Sequence, residues 1–283
     1  MRHSRLVFAI VGAAFVVGAT AYAAPVAAQQ AAPTPPTSEL SDRCPGLVAA
    51  DRPRIVPAAF RVAALADGEV RLTYIGHSTF LIESPRHVRV ATDYNDYVRP
   101  PVLPDIITMN HAHSTHFTDR PDPAIKYVLR GWAADEKPAE YDLTYQDVRV
   151  RNVPTNIRDW GGGTQRHGNS IFIFEVAQLC IAHLGHLHHT LTQQQLNDIG
   201  RVDVVLAPVD GSYTLDLEGM VEVLHALKAP LTIPMHYFGV YTLNRFLDRM
   251  KQEWDVEMGE TPSLLLSKAG LPTKPKVVVL PGH

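Results

Sequence analysis

The chain has 283 residues, of which 46% are hydrophobic, and its formal net charge is −3. That length and composition suffice for a sizeable core. Lys and Arg are scattered rather than gathered into a basic stripe, so a nucleic-acid partner or an anionic membrane surface is not expected.

In chain order, Met1-Arg2-His3-Ser4-Arg5 is a short basic start, and Leu6 to Ala24 is almost wholly apolar and rich in Ala, Gly and Val. Ala21-Tyr22-Ala23 fits a small-x-small cleavage site, with Val26-Ala27-Ala28 as a second one. The pattern predicts a secretory signal peptide over residues 1–28. The competing reading is an uncleaved anchor, since the run approaches the ~20 residues that a spanning helix needs. Cleavage is the expectation. It makes the mature protein extracytoplasmic (periplasmic in a Gram-negative source, otherwise secreted), with no stable membrane anchor. Residues 29–68 read as a Pro- and Ala-rich linker followed by an irregular arm, and residues 69–283 as one domain.

Within that domain, Val70 to Tyr74, Thr79 to Glu83 and Val88 to Asp93 are three short strand-like runs, with Gly76 as a turn residue between the first two. The apolar run Asp105 to Met109 predicts a buried strand. Tyr141 to Val153 has spaced apolar positions, Ile171 to Val176 and Leu179 to Ala182 read as strands, and His167 reads as an exposed hairpin turn. Helices and strands then alternate: helix Leu191 to Ile199 with Thr190 or Thr192 as its cap, strand Val204 to Ala207, helix Leu217 to Leu227, strand Leu231 to Met235, helix Leu243 to Trp254 and strand Val277 to Leu280. Strands first and alternating units afterwards suit two mixed sheets packed face to face with helices outside. Of the two cysteines, Cys44 and Cys180, the second lies in an apolar run and reads as a core thiol; an oxidising compartment would also permit a bridge between them.

Directly after the run ending at Met109 comes Asn110-His111-Ala112-His113-Ser114-Thr115-His116. In extended chain, His111 and His113 point the same way, and His116 follows a bend. Neutral imidazole is the commonest nitrogen ligand for zinc, so this stretch predicts metal binding.

The stretch resembles the His-x-His-x-Asp-His signature of the metallo-β-lactamase-fold hydrolases, with Thr115 at the Asp position. Thr73 to Glu83, Ala182 to Leu187 and Ile233 to Tyr237 extend the resemblance in order. Together these segments look like the branch containing ascorbate-phosphate lactonase and the N-acyl phosphatidylethanolamine phospholipase D type of enzyme. The resemblance implies a four-layer αββα sandwich of two mixed sheets, with metal at one sheet edge. It also implies two metals: His111, His113 and a mid-chain His at one, the signature Asp, His116 and His236 at the other, and a bridging Asp. Here Arg158 stands at the mid-chain position and His186 at the bridging one.

Without the two carboxylates, two dications ~3.5 Å apart repel by roughly 20 kcal/mol even at an effective dielectric of about 20, so one zinc per chain is expected. The expected trio is His116, His186 and His236, with His111, His113 and His186 as the alternative. His77 is expected near the site, His183 as a core residue, and His188 and His189 as neighbours. The resemblance further implies a hydrolase that uses a metal-bound hydroxide on an ester, lactone or phosphodiester; with the signal peptide and a single zinc, an exported zinc-dependent hydrolase is expected. Asp210, Asp159 or Asp93 would replace the lost water-orienting carboxylate. Arg158 reads either as a clamp for an anionic group of a small-molecule substrate or as a surface residue. The alternative function is a non-catalytic member that binds metal or anion. The sequence carries no sign of oligomeric state.

Overall fold

The structure is a computed structural model that describes residues 65–282 except 135, 136 and 160. The signal-peptide and linker readings, and Cys44, lie outside those residues. Among the described residues there are fourteen strands and three α-helices.

The first sheet contains β1 (Glu69–Gly76), β2 (Thr79–Glu83), β3 (Arg89–Ala91), β4 (Ile106–Met109), β5 (Tyr127–Arg130) and, from late in the chain, β13 (Ser263–Ser267). Their order is β13-β1-β2-β3-β4-β5, antiparallel up to β3 and parallel from β3 to β5. The second sheet holds β6 (Asp142–Tyr145), β7 (Val148–Arg158), β8 (Thr164–Val176), β9 (Leu179–His183), β10 (Val204–Pro208), β11 (Leu231–Met235), β12 (Asp255–Met258) and β14 (Lys276–Val279). Its order is β12-β14-β11-β10-β9-β8-β7-β6, parallel from β12 to β9 and antiparallel beyond. Both sheets are mixed, as expected.

Period-2 alternation sends Leu72, Phe80, Ile82 and Ile106 of one sheet and Phe172, Phe174, Leu206 and Ile233 of the other into one shared core. Each fully buried side chain of this kind contributes about 1.5–3 kcal/mol. The opposite face of the second sheet packs Ile171, Ile173 and Val205 against α1 (Gln193–Ile199), α2 (Leu217–Leu227) and α3 (Val240–Met250). The outer face of the first sheet buries Ala91, Ile107 and Met109 beneath Tyr94, Phe117 and Trp132. This is the metallo-β-lactamase sandwich; among the described residues its outer layer on the first sheet is irregular chain.

Local chemistry sets the boundaries. Thr192 caps α1 in a capping box with Gln195, and Asp216 caps α2 by accepting from Gly219 N–H. Some expectations shift, α1 among them, which begins at Gln193 rather than Leu191. The last helix runs from Val240 rather than Leu243 and ends at Met250, after which turns carry Trp254 back into the core. His167 lies within β8, not in a turn. The turn is made instead by Asp159 to Gly163, where the Asp159 carboxylate accepts from the Gly161 and Gly163 N–H groups and Gly162 takes φ 81°. Cys180 is a half-buried free thiol that accepts from the Arg201 guanidinium at 3.4 Å.

Candidate metal centre

Strands β4, β9, β10 and β11 all deliver their C-terminal ends to one edge of the sandwich, and the chemistry-bearing residues follow directly after them. His116 follows β4, His186 and His188 follow β9, Asp210 follows β10 and His236 follows β11. His77 joins them from the β1–β2 turn. Both His77 and His236 adopt left-handed backbone, φ 51° and 54°, a conformation non-glycine residues hold only when their surroundings enforce it. The enforcement is visible: the His77 carbonyl accepts from the His236 N–H at 2.7 Å and from the Tyr74 hydroxyl at 2.9 Å. Gly185, at φ 63°, lets the loop after β9 lie against Asn110 and Asn169. A Cβ there would stand 2.5 Å from both side chains.

Two buried carboxylates fix the imidazoles. His116 Nδ1–H donates to Asp93 at 2.6 Å, and His236 Nδ1–H donates to Asp210 at 3.0 Å. Asp93 is itself held by the Asn110 N–H, and Asp210 accepts from the Ser212, Tyr213 and Thr214 N–H groups and the Thr214 hydroxyl. With each Nδ1 committed as a donor, each Nε2 carries a lone pair. These two Nε2 atoms face each other at 3.1 Å, a separation at which two acceptors cannot bond. It is close to the ~3.3 Å edge of a tetrahedron of nitrogens around zinc. Nitrogens of His77, His116 and His236 lie within 4.8 Å of one another, and the buried His77 Nε2 has no hydrogen-bond partner. His186 Nδ1 stands 2.8 Å from the same His116 Nε2. Inward lone pairs, an orphaned buried nitrogen and carboxylates behind the rings fit a bound cation.

Burial favours the neutral form of His77, His116 and His186, the form in which imidazole is a ligand. It pushes His116 and His186 far below the usual histidine range, helped by neighbouring imidazoles, and His77 down to about 4. Burial also pushes Asp93 upward. For Asp210 burial acts upward as well, but hydrogen bonds from His236, Thr214 and Ser212 outweigh it and hold the carboxyl well below its usual range.

The expected residues fall into place as follows. His116, His186 and His236 meet, with ring centroids 4.7 to 5.1 Å apart. His111 and His113 stand alongside with nearly parallel rings 6.2 Å apart, and His111 lies 5.1 Å from His186. His111 Nδ1–H donates to the Gly168 carbonyl, whereas His113 is exposed beside Thr115. His183 is a core residue whose Nε2–H donates to the Ser78 carbonyl. Asp210 sits behind His236 with both oxygens occupied, so the role of orienting a water in the cleft does not fit its position. Asp159 serves its own turn. Arg158 reaches the Ser212 and Thr214 carbonyls through Nη2, and its backbone N–H donates to His188 Nδ1. Its guanidinium therefore straps the Asp210 loop rather than presenting itself as an open clamp. The residue that sequence reasoning left at the margin is His77. Its only signal is a histidine directly after a turn glycine.

Residues 71–236 match the profile of the β-lactamase superfamily domain, and the chain belongs to that family. The fold and site define its class, the metal-dependent hydrolases of the metallo-β-lactamase fold. Among individual proteins, it is similar to a UPF0173 metal-dependent hydrolase of Methanoculleus marisnigri, 26% identical over 197 residues that span 65% of this chain and 88% of that one. It is similar to its Thermoplasma acidophilum counterpart, also 26% identical, over 59% of this chain and 83% of that one. A solved structure from Thermotoga maritima, described as a candidate Zn-dependent hydrolase of the superfamily, shares 28% identity with a TM-score of 0.56, covering 76% of this chain and 100% of that one.

Proposed function

We propose that this chain is an exported hydrolase that holds one zinc ion between His77, His116 and His236, with His186 beside them, and cleaves an ester, lactone or phosphodiester in a small molecule. The observation that carries the reading is the pair of inward-facing Nε2 atoms of His116 and His236 at 3.1 Å, each ring backed by a buried carboxylate. Zinc suits a set of neutral nitrogens, whereas iron more often takes two histidines and a carboxylate. When bound, such an ion supplies Lewis acidity that acidifies a water and polarises the scissile group. The chain's own contribution is orientation. Asp93 and Asp210 fix the tautomers, Tyr74 and the His236 backbone fix His77, and Arg158 with Thr214 fixes the loop behind His236. A single ion also follows from charge, because Asp93 and Asp210 stand behind the rings and no carboxylate oxygen belongs to the three-nitrogen group.

The test is metal analysis of the mature protein after dialysis against trace zinc, with an ester, lactone and phosphodiester panel run on the same samples. About one zinc per chain and turnover of at least one substrate class are expected. His116→Ala and His236→Ala should lose both. Two tightly held ions would overturn the one-ion reading, and zinc bound without turnover on any substrate would favour a binding protein over an enzyme.

A further inference from the structure

Two aromatic side chains stand exposed at the mouth of the imidazole cluster, and neither serves the core. Phe238, 61% exposed, lays its ring 5.7 Å from that of His77 and 5.4 Å from that of His236. Tyr213, also 61% exposed, meets Phe238 edge to face at 5.3 Å. Tyr237, which precedes Phe238 along the chain, turns inward onto Tyr74 and the core, so the outward placement of Phe238 reflects position rather than a lack of room inside. The first turn of α3 adds Val240 and Tyr241, 71% and 79% exposed. Single exposed apolar residues are ordinary, but a run of them adjoining a candidate reaction centre has the composition of a ligand-binding lip.

The lip is also fixed to the centre. The Tyr213 N–H donates to Asp210 at 2.6 Å, and the same carboxylate orients His236. The Arg158 guanidinium holds the carbonyls on either side of Tyr213, those of Ser212 and Thr214. Phe238 follows His236 by two residues on a backbone that His77 pins. A group resting on these rings would therefore keep a constant offset from the imidazole nitrogens.

We infer that Phe238 and Tyr213 form a specificity platform for an apolar group, aromatic or medium-chain acyl, carried by the substrate next to its scissile bond. The inference builds on the hydrolase reading for its use, but its test does not require turnover. Butyrate and 4-phenylbutyrate serve as probes, since both present the same carboxylate and only one carries a ring. Their affinities are measured by calorimetry on zinc-loaded and on metal-free protein, alongside zinc content. The zinc-loaded wild type should bind 4-phenylbutyrate about tenfold more tightly than butyrate, in keeping with burial of a phenyl ring against two aromatics. Phe238→Ala should reduce that preference to about twofold or less, with butyrate affinity, zinc content and melting temperature unchanged, and Phe238→Leu should keep an intermediate preference.

Equal affinity of the two probes in the wild type, or a preference that survives Phe238→Ala and Tyr213→Ala, would overturn the platform. Binding of neither probe would overturn it as well. Failure of the zinc reading shows separately as protein without metal, and there the preference and its loss in Phe238→Ala are still read on metal-free protein.

Discussion

At the scale of single residues, Asp210 has the most to lose. Its Oδ1 accepts from three backbone N–H groups and the Ser212 hydroxyl, and its Oδ2 accepts from Thr214 and His236. Asn offers one acceptor oxygen, so either the loop or the imidazole must lose its partner. Asp210→Asn should weaken zinc binding about 10- to 100-fold and cost roughly 1–3 kcal/mol of stability, measured by chelator competition and urea unfolding. Asp159→Asn, confined to an exposed turn, should change stability by no more than about 0.5 kcal/mol and leave zinc binding alone. Equal effects of the two would mean that Asp210 only shapes a loop. Asp93, Asp159 and Asp210 were all visible in the sequence as carboxylates near strand ends. Nothing local separated them, because what distinguishes Asp210 is a partner 26 positions away. His77 was obscure for the same reason: its placement depends on β11, far along the chain.

At the scale of elements, legibility followed burial. The stripe of Met220, Val221, Val223, Leu224 and Leu227 defines α2 to the residue, and the apolar run Leu231–Met235 does the same for β11. Strands β5, β12 and β13 escaped notice. They are edge strands with largely exposed or half-exposed residues, and their partners are set by tertiary pairing, such as Glu69 with Ser267. The long hairpin of β7 and β8 extended beyond its apolar centre because its register continues through polar pairs such as Thr155 with Asn169. The two kinds of signal should carry different energies. Phe174→Ala, in the core shared by both sheets, should cost about 3–5 kcal/mol, whereas Asp216→Ala, removing the cap of α2, should cost about 1 kcal/mol, both by denaturant unfolding. Similar losses would contradict the assignment of that core as the main source of stability.

At the scale of the whole molecule, the N-terminal pattern and the folded domain make separate claims. The basic start, apolar run and small-x-small sites should yield a mature chain lacking roughly its first 23 to 28 residues, checked by intact mass of protein from its native compartment. A chain retaining Met1 would point to a membrane anchor instead. Within the domain, the imidazoles of the candidate metal centre have two origins. His77 and His116 extend from the six-stranded sheet, and His186 and His236 from the eight-stranded one. The two sheets meet mainly through apolar packing, which is non-directional, with hydrogen bonds across the site edge such as His236 N–H to the His77 carbonyl and His183 Nε2–H to the Ser78 carbonyl. An ion held across that edge, as proposed above, would add a further directional cross-link between distant parts of the chain, and like any such link it would remove conformations from the open ensemble. With such an ion bound, amide exchange in β2 and in β11 would be expected to become more strongly coupled, because the sheets could part at that edge only by surrendering it.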